Sequence, residues 1–346
     1  MKPTLCLLLA AASLVAAASL VAAAPKGPAL KEASENPPGQ NKVTITVKGD
    51  KRVIESNGIP DHKVSPFPNR GNPNAISEQK YHFEVPAHPQ PAEGGASGPM
   101  MSAWGVALNG IVFDPGTAEV YNDGERSNPW KYEALMSNTE MGTTPRIKTG
   151  LGLDQNHGHV QPNGAYHYHG LPTLLIERLS GGEKKMTHVG WAADGFPVYA
   201  VYAYAKAEDP KSELKAMKSS YRLKTADRGG DGKLTPTGKP DGSFGLDFEY
   251  VPGAGDLDEF GGRSGVTPEF PKGTYYYVLT EDYPFVPRKF KGTPDASFAK
   301  KGGMDPHANL GGQGGKGFKG KGKKGPPPGG FGGPPPDGSP PEGAPK

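Results

Sequence analysis

Residues 156–170 read NHGHVQPNGAYHYHG, two short runs on either side of a Pro-Asn-Gly triplet. Pro162 presets the first backbone angle of a tight turn, and Asn163 tolerates the second position. Gly164 adopts the left-handed third position without the steric penalty that a side chain would bring. The segment therefore predicts a β-hairpin with a three-residue loop centred on Asn163.

Four histidines occupy the arms of this hairpin. A loop centred on Asn163 places His159 opposite His167 and His157 opposite His169. Since side chains alternate along a strand, all four imidazoles are expected on one face. Cross-strand neighbours lie about 5 Å apart and same-strand neighbours about 7 Å apart. The hairpin therefore predicts a compact cluster of four imidazole rings.

Such a cluster favours a transition-metal site. Protonated imidazoles repel one another, whereas neutral imidazoles aim their lone pairs at a common point that a borderline metal ion fills. Copper or zinc would accept three or four of these nitrogens at about 2.0–2.1 Å. The alternative interpretation is a structural hairpin without metal, in which the imidazoles bond to carboxylates and backbone carbonyls.

Five further residues are candidates for the surroundings of the ligands. Tyr166 and Tyr168 are expected on the opposite face of the hairpin, with Tyr168 covering Gly158. Asp154 and Asp194 are candidates to accept a hydrogen bond from a ligand imidazole, and each is equally compatible with a structural turn. His188 is a candidate to approach the site, although a buried structural role is the alternative for it.

The rest of the chain predicts a mainly β protein. Its 51 glycines and 38 prolines indicate many turns. Strands are predicted in residues 43–47, 104–115 (two strands meeting at Asn109-Gly110), 190–204 and 273–280. One short helix is predicted over 212–223, where Leu214, Met217 and Tyr221 recur at helical spacing. These elements predict a sandwich or distorted barrel of short antiparallel strands.

The N-terminal segment predicts export. Lys2 precedes an apolar run over residues 5–21, which is typical of a signal peptide, here residues 1–23 with cleavage after Ala23. An uncleaved membrane anchor is the alternative, which the shortness and alanine content of the run disfavour. We therefore expect a secreted or periplasmic protein. Residues 24–40 are expected to be a disordered lead-in, and residues 41–300 the folded domain.

Charge and cysteine content exclude several classes of function. The 39 basic and 36 acidic residues leave a formal net charge of +3, so the body lacks the basic excess that nucleic-acid binding requires. Cys6 is the single cysteine, and it lies within the predicted signal peptide. A mature chain without cysteine has no disulfide, thiolate nucleophile or iron–sulfur cluster.

The C-terminal residues 301–346 are rich in Gly, Pro and Lys and are expected to be disordered. Their lysines are candidates for weak contact with anionic envelope or glycan surfaces, and a solvated tail without a partner is the alternative.

The chain resembles the YHYH domain family, named after the motif that is Tyr166-His167-Tyr168-His169 here. The similarity includes SNGIPDH (56–62), FPNRGNPN (67–74), NGIVFDP (109–115), NHGHVQPNGAYHYHG (156–170), DGFPVY (194–199), DFEYVPGAGDLDE (247–259) and GVTPEFPKGTYYYVLTEDYPFVPR (265–288). The resemblance implies a secreted or periplasmic location, and it implies no particular reaction.

Three functions are therefore open. The first is a secreted metal-binding protein with a four-histidine site. The second is a metalloenzyme in which three histidines hold a metal ion that activates water or oxygen at an open position. The third is a structural module of the cell envelope without metal. The number of protein ligands distinguishes the first two.

Overall fold

The computed structural model describes residues 30–96, 103–121, 128–135 and 151–299. The predicted signal peptide and the predicted C-terminal tail lie outside these residues. The described residues form seventeen strands and one α-helix, α1 (Thr173–Ser180). The strands are β1 (Val43–Lys48), β2 (Lys51–Ser56), β3 (Tyr81–Pro86), β4 (Pro91–Ala96), β5 (Gly105–Ala107), β6 (Val112–Phe113), β7 (Gly158–Val160), β8 (Tyr166–Tyr168), β9 (Thr187–Ala192), β10 (Pro197–Ala200), β11 (Tyr202–Tyr204), β12 (Leu214–Ala216), β13 (Tyr221–Leu223), β14 (Phe248–Tyr250), β15 (Gly262–Gly265), β16 (Thr274–Leu279) and β17 (Phe290–Gly292).

An eight-stranded sheet organises the fold. Its strand order is β15-β16-β10-β9-β5-β6-β8-β7, which places the histidine hairpin β7–β8 at one edge. Most neighbours are antiparallel, while β10–β16 and β6–β8 are parallel pairs. The sheet is open, because β15 and β7 end it without pairing to each other.

A second, antiparallel sheet of three strands, β1-β2-β3, packs against the large one. Ile54 and Phe83 of the small sheet share one buried apolar cluster with Val106 and Phe113 of the large sheet. Val85 is completely buried in the same cluster. Strands of this kind present one apolar face each, and stacking the two faces removes both from water. The fold is therefore mainly β and sandwich-like, as predicted.

The predicted position of the helix is wrong. Residues 212–223 contain β12 and β13, which pair with β11 and β14, respectively. Met217, one of the three residues that suggested helical spacing, is buried, and its N–H donates to the carbonyl of Val201. These long-range backbone bonds outweigh the local helical preference.

The observed helix, α1, lies between Pro172 and Gly181, directly after the histidine hairpin. Gly181 ends it in the left-handed conformation, which is the usual helix stop. Leu175 is the completely buried residue on its inner face.

The lead-in also differs from the expectation of disorder over residues 24–40. Residues 24–29 lie outside the described part, but Lys31 forms a parallel bridge with Asp154 and Glu35 an antiparallel bridge with Val64. Ala33 is buried, and its N–H donates to the side chain of Gln155 at 3.1 Å. The ordered fold therefore begins before β1, because the body offers partners to the backbone of this segment.

Gly190 lies where β5 and β9 approach each other closely, with no room for a side chain. A Cβ at this position would lie 2.5 Å from the carbonyl oxygen of Val106 and 2.9 Å from the ring of Phe113. We expect Gly190→Ala to lower the free energy of unfolding by roughly 1–3 kcal/mol, the usual cost of overpacking. Urea unfolding measures this change.

Gly39→Ala is the matched control, because its added methyl group would meet only Ile59, at 3.9 Å. Equal stability of the two variants would contradict the tight contact between β5 and β9.

Candidate metal centre

The hairpin adopts the predicted register. β7 and β8 pair with His159 opposite His167 and Val160 opposite Tyr166. In the loop, Gly164 has a φ of 84°, and its N–H donates to the carbonyl of Gln161 at 2.8 Å. The left-handed glycine therefore closes the turn as the sequence predicted, and this fixes the register that brings the imidazoles together.

Three imidazoles converge at the edge of the large sheet. Nε2 of His169 lies 3.1 Å from Nε2 of His159 and 3.1 Å from Nε2 of His167. The ring centroids are 4.7–4.8 Å apart, and the ring planes are inclined at 65–70°. His167 and His169 are buried, while His159 is half-buried. The arrangement is a nearly three-fold group of nitrogen atoms, which we call the histidine triad.

The spacing of the triad suits one metal ion. Two nitrogens bound at about 2.0–2.1 Å to a tetrahedral ion lie about 3.3 Å apart. The two Nε2 distances of 3.1 Å are close to that value. One ligand atom from each of the three residues lies within 4.8 Å of the others. The triad is therefore able to hold a metal ion.

Backbone carbonyls orient two of the rings. Nδ1 of His159 donates to the carbonyl of Leu151 at 2.9 Å, and Nδ1 of His167 lies 3.3 Å from the carbonyl of Ala165. A neutral imidazole that donates through Nδ1 has its lone pair on Nε2, which is the atom that faces the centre of the triad. Burial lowers the pKa of His159 and so favours its neutral form, although the Leu151 carbonyl and Glu119 act in the opposite direction.

His157, the predicted fourth ligand, does not join the triad. Its φ is 54°, a left-handed conformation that interrupts the alternation of side chains just before β7. Its Nδ1 donates to the carbonyl of Leu171 at 2.7 Å. The prediction assumed that the strand extends to residue 157, whereas the turn from Asp154 to Gly158 redirects the ring.

The two tyrosines lie on the opposite face of the hairpin, as predicted, and both are completely buried. The Tyr166 hydroxyl donates to Asp154 at 2.8 Å. The Tyr168 hydroxyl lies 2.6 Å from Nε2 of His62 and accepts from Asn109 at 2.9 Å. Gly158 faces the Tyr166 hydroxyl rather than Tyr168, since a Cβ there would overlap the Tyr166 ring.

Asp154 contacts the back of the site and no ligand ring. Its carboxylate accepts from Tyr166 and from the backbone N–H groups of Asn156 and Gly158, at 2.8, 2.9 and 3.2 Å, respectively. Burial raises the pKa of this carboxyl group. Asp154 therefore holds the turn that precedes β7, and it acts on the triad through the backbone.

Asp194 and His188 lie elsewhere in the sheet. Asp194 accepts from the hydroxyl of Tyr277 at 2.6 Å and from the N–H of Gly292 at 2.8 Å, and it thereby anchors β17. His188 lies on β9, which two strands separate from β8. Its Nε2 donates to the carbonyl of Gly190 at 2.9 Å. Neither residue contacts the triad.

Sequence reasoning missed two residues that hold the hairpin. His62 lies in a turn-rich segment that gave no sign of a structural role, yet it is buried between the carbonyl of Lys63 and Tyr168. Asn72 is buried as well. Its side-chain amide donates to the carbonyl of Val160 at 2.8 Å and lies 3.3 Å from Nδ1 of His159. His62 and Asn72 belong to the turn-rich segments SNGIPDH and FPNRGNPN, which carry part of the resemblance to the family. Their partners in the hairpin lie about ninety or more residues away in sequence, so no local pattern could indicate these contacts.

A family model described as "YHYH protein" matches residues 82–292, which include the hairpin and every strand of the large sheet but only β3 of the small sheet. The chain belongs to the YHYH family. No curated protein and no solved structure matches it at a significant level. In the described part of this YHYH chain, no helix is long and apolar enough to cross a membrane.

Burial lowers the imidazole pKa at four positions in this member of the YHYH family: His62, His157, His159 and His188. The pKa of His188 falls from 6.5 to about 4, because burial disfavours the charged ring more than Glu269 and the Gly190 carbonyl favour it. Its neutral form is therefore part of the folded state.

We expect acid to destabilise the fold through His188. Its stabilising contribution is complete above pH 6.5 and is lost as the pH falls from 6.5 towards 4, because only the unfolded state takes up the proton in that range. The loss is up to roughly 3 kcal/mol, since one pKa unit corresponds to about 1.4 kcal/mol. Urea unfolding between pH 4 and 7 should show a shallower pH dependence for His188→Gln.

His82→Gln is the control, because His82 is exposed. A parent and a His188→Gln variant with the same pH dependence would contradict the neutral, buried state of His188.

Proposed function

We propose that this protein is a secreted or periplasmic metal-binding protein that holds one copper or zinc ion on His159, His167 and His169. The convergence of three Nε2 atoms at the edge of the sheet carries the proposal. The location rests on the N-terminal sequence, with its lysine followed by an apolar run.

Electrostatics favours a cation at the centre of the triad. His159 and His167 direct their Nδ1 atoms at carbonyl oxygens, so their neutral rings present Nε2 lone pairs to the centre. Both lone pairs face Nε2 of His169, which carries at most one proton. One proton would have to serve two acceptors, and protonating all three rings would place like charges side by side. A metal ion satisfies all three nitrogens at once.

Ligand chemistry restricts the ion. Imidazole nitrogen suits copper and zinc, whereas magnesium and calcium require oxygen ligands. A site with three ligands at the tetrahedral spacing is compatible with either of the two metals. The proposed ion is therefore either copper or zinc.

A second candidate function, a metalloenzyme, is favoured by the number of ligands. Structural zinc sites have four protein ligands, whereas catalytic sites have three and keep one position for water or substrate. Among the described residues, three histidines form the group, and the ring of His157 is bonded to Leu171 instead. A metal ion held in this way would bind and polarise water at the remaining position.

Titration of chelator-stripped protein with copper(II) and zinc(II) tests the metal site. The parent should bind one equivalent of metal, and the double variant His167→Ala/His169→Ala should lose affinity by more than the roughly 10–100-fold that loss of an outer hydrogen-bond partner costs. His157→Ala should keep the affinity of the parent, because its ring lies outside the triad.

His88→Ala is the surface control, since His88 is exposed and lies outside the hairpin. Equal affinity of the parent and the double variant, at unchanged stability, would reject the metal site. It would support the third function, a structural envelope module without metal.

X-ray absorption and electron paramagnetic resonance of the copper-loaded protein test the open position. We expect three imidazole nitrogens and one exchangeable oxygen ligand, which added azide replaces with a change in the copper spectrum. Four imidazole ligands and no response to azide would reject the enzyme and leave a closed metal-binding site.

A further inference from the structure

A bulge in β9 creates a second polar site, away from the triad. On β9, Trp191 pairs with Pro197 and His188 pairs with Tyr199, so three steps along β9 correspond to two along β10. The extra residue places the rings of His188 and Trp191 on the same face of the sheet, with their centroids 4.6 Å apart. Bulges often redirect side chains next to functional sites.

Arg52 of the small sheet faces the ring of Trp191. Its guanidinium lies 3.4 Å from the centre of the Trp191 ring, which is stacking distance. Arg52 pairs with Val85 on one side and Val47 on the other. Val85 is completely buried, but Val47 is 59% exposed although it belongs to the same inward-facing row. The space between the two sheets therefore opens to solvent beside Arg52.

Among the described residues, the guanidinium of Arg52 stacks on Trp191 but finds no hydrogen-bond acceptor. Within residues 30–96, 103–121, 128–135 and 151–299, its side chain makes no hydrogen bond and no ion pair, and its Nη1 atom is buried without a hydrogen-bond partner. Burying a charged donor without an acceptor is costly, and natural proteins rarely do so without a reason. Stacking on an indole contributes only about 0.5–2 kcal/mol and satisfies none of the five N–H groups.

Other half-buried arginines show what a structural role requires in this fold. Arg288 forms an ion pair with Glu133 at 2.6 Å, and Arg228 forms one with Asp247 at 2.7 Å. Arg263 also lies near an aromatic ring, 5.7 Å from the centre of the Tyr276 ring, but it donates to the hydroxyl of that residue at 2.7 Å. Arg52 lacks such an acceptor, so the missing partner is expected to come from a ligand.

We propose that Arg52, stacked on Trp191, forms a binding site for the oxyanion group of a small ligand, a carboxylate, phosphate or sulfate, with the neutral ring of His188 beside it. The N–H groups of the guanidinium are arranged to bind such a group through two parallel hydrogen bonds. The indole fixes the plane of the guanidinium, and the opening beside Val47 provides access. This proposal does not depend on the metal site, because β9 and β8 are separated by β5 and β6.

The nearby Glu269 selects among these ligands. It accepts from the Tyr199 hydroxyl at 2.7 Å, and its negative charge acts on His188. A second negative charge close to the site disfavours doubly charged ligands. We therefore expect a carboxylate to bind more tightly than phosphate or sulfate.

Calorimetric titration of the full chain with sodium acetate, sodium glucuronate, phosphate and sulfate, at constant ionic strength against chloride, tests the proposal. The parent should bind at least one carboxylate saturably, with a change in tryptophan fluorescence from Trp191. Arg52→Met keeps the length of the side chain and should weaken this binding at least about tenfold. Arg52→Lys should bind with intermediate affinity, because lysine keeps the positive charge but cannot form the two parallel hydrogen bonds of a guanidinium.

Arg263→Met is the matched control, because Arg263 also lies beside an aromatic ring and already has a hydrogen-bond acceptor, the Tyr276 hydroxyl. It should bind the carboxylates as the parent does. In chloride, Arg52→Met should be as stable as the parent or more stable, since a half-buried charge with an unsatisfied Nη1 atom is removed. Absence of saturable binding to the parent, or equal affinity of the parent and Arg52→Met, would overturn the proposal and leave Arg52 as a stacking residue only.

Discussion

The antiparallel pairing of β7 with β8 is the constraint on which the site depends. Its register is fixed by the loop that Gly164 closes, and the side chains of a strand alternate between faces. A shift of one residue would exchange the imidazoles of His167 and His169 for the phenol rings of Tyr166 and Tyr168. One backbone register therefore decides both what faces the proposed metal ion and what packs into the core.

The two faces of this hairpin use polar chemistry in different ways. The triad face brings three nitrogens together and satisfies Nδ1 of His159 and of His167 with backbone carbonyls. On the other face, two buried tyrosine hydroxyls each reach a distant partner, Asp154 and His62. Buried polar groups are stable only when they are hydrogen-bonded, so these partners hold the hairpin in one position. The rigid back of the hairpin keeps the three imidazole rings in place, as the proposed metal site requires.

The remainder of the fold supports this edge of the sheet through contacts that are distant in sequence. Asn72 binds the carbonyl of Val160, and Lys31 pairs with the turn that precedes β7. The small sheet also packs on the large sheet, and Arg52 stacks there on Trp191 of β9, a strand in the middle of the sheet. Both proposed sites therefore depend on segments that come from the first third of the chain and meet residues of the middle third.

Much of the site could be predicted from local sequence. Turn chemistry predicts the Pro-Asn-Gly loop and the pairing of His159 with His167. Strand periodicity places the tyrosines on the opposite face, and both effects act over a few residues. His157 could not be placed in this way, because its left-handed backbone belongs to a turn that Asp154 holds. Residues 212–223 show the same limit, since their helical spacing yielded to pairing with β11 and β14.

The sequence by itself determined a mainly β chain of the YHYH family, with a histidine-lined hairpin. These features depend on side-chain alternation and glycine conformation, which neighbouring residues decide. Only the tertiary structure decided that the cluster has three members, that His62 and Asn72 brace it, and that Arg52 is stacked on Trp191 without an acceptor. These features depend on which distant backbone and side-chain groups bond to one another when the two sheets pack. A local sequence pattern does not specify those long-range contacts.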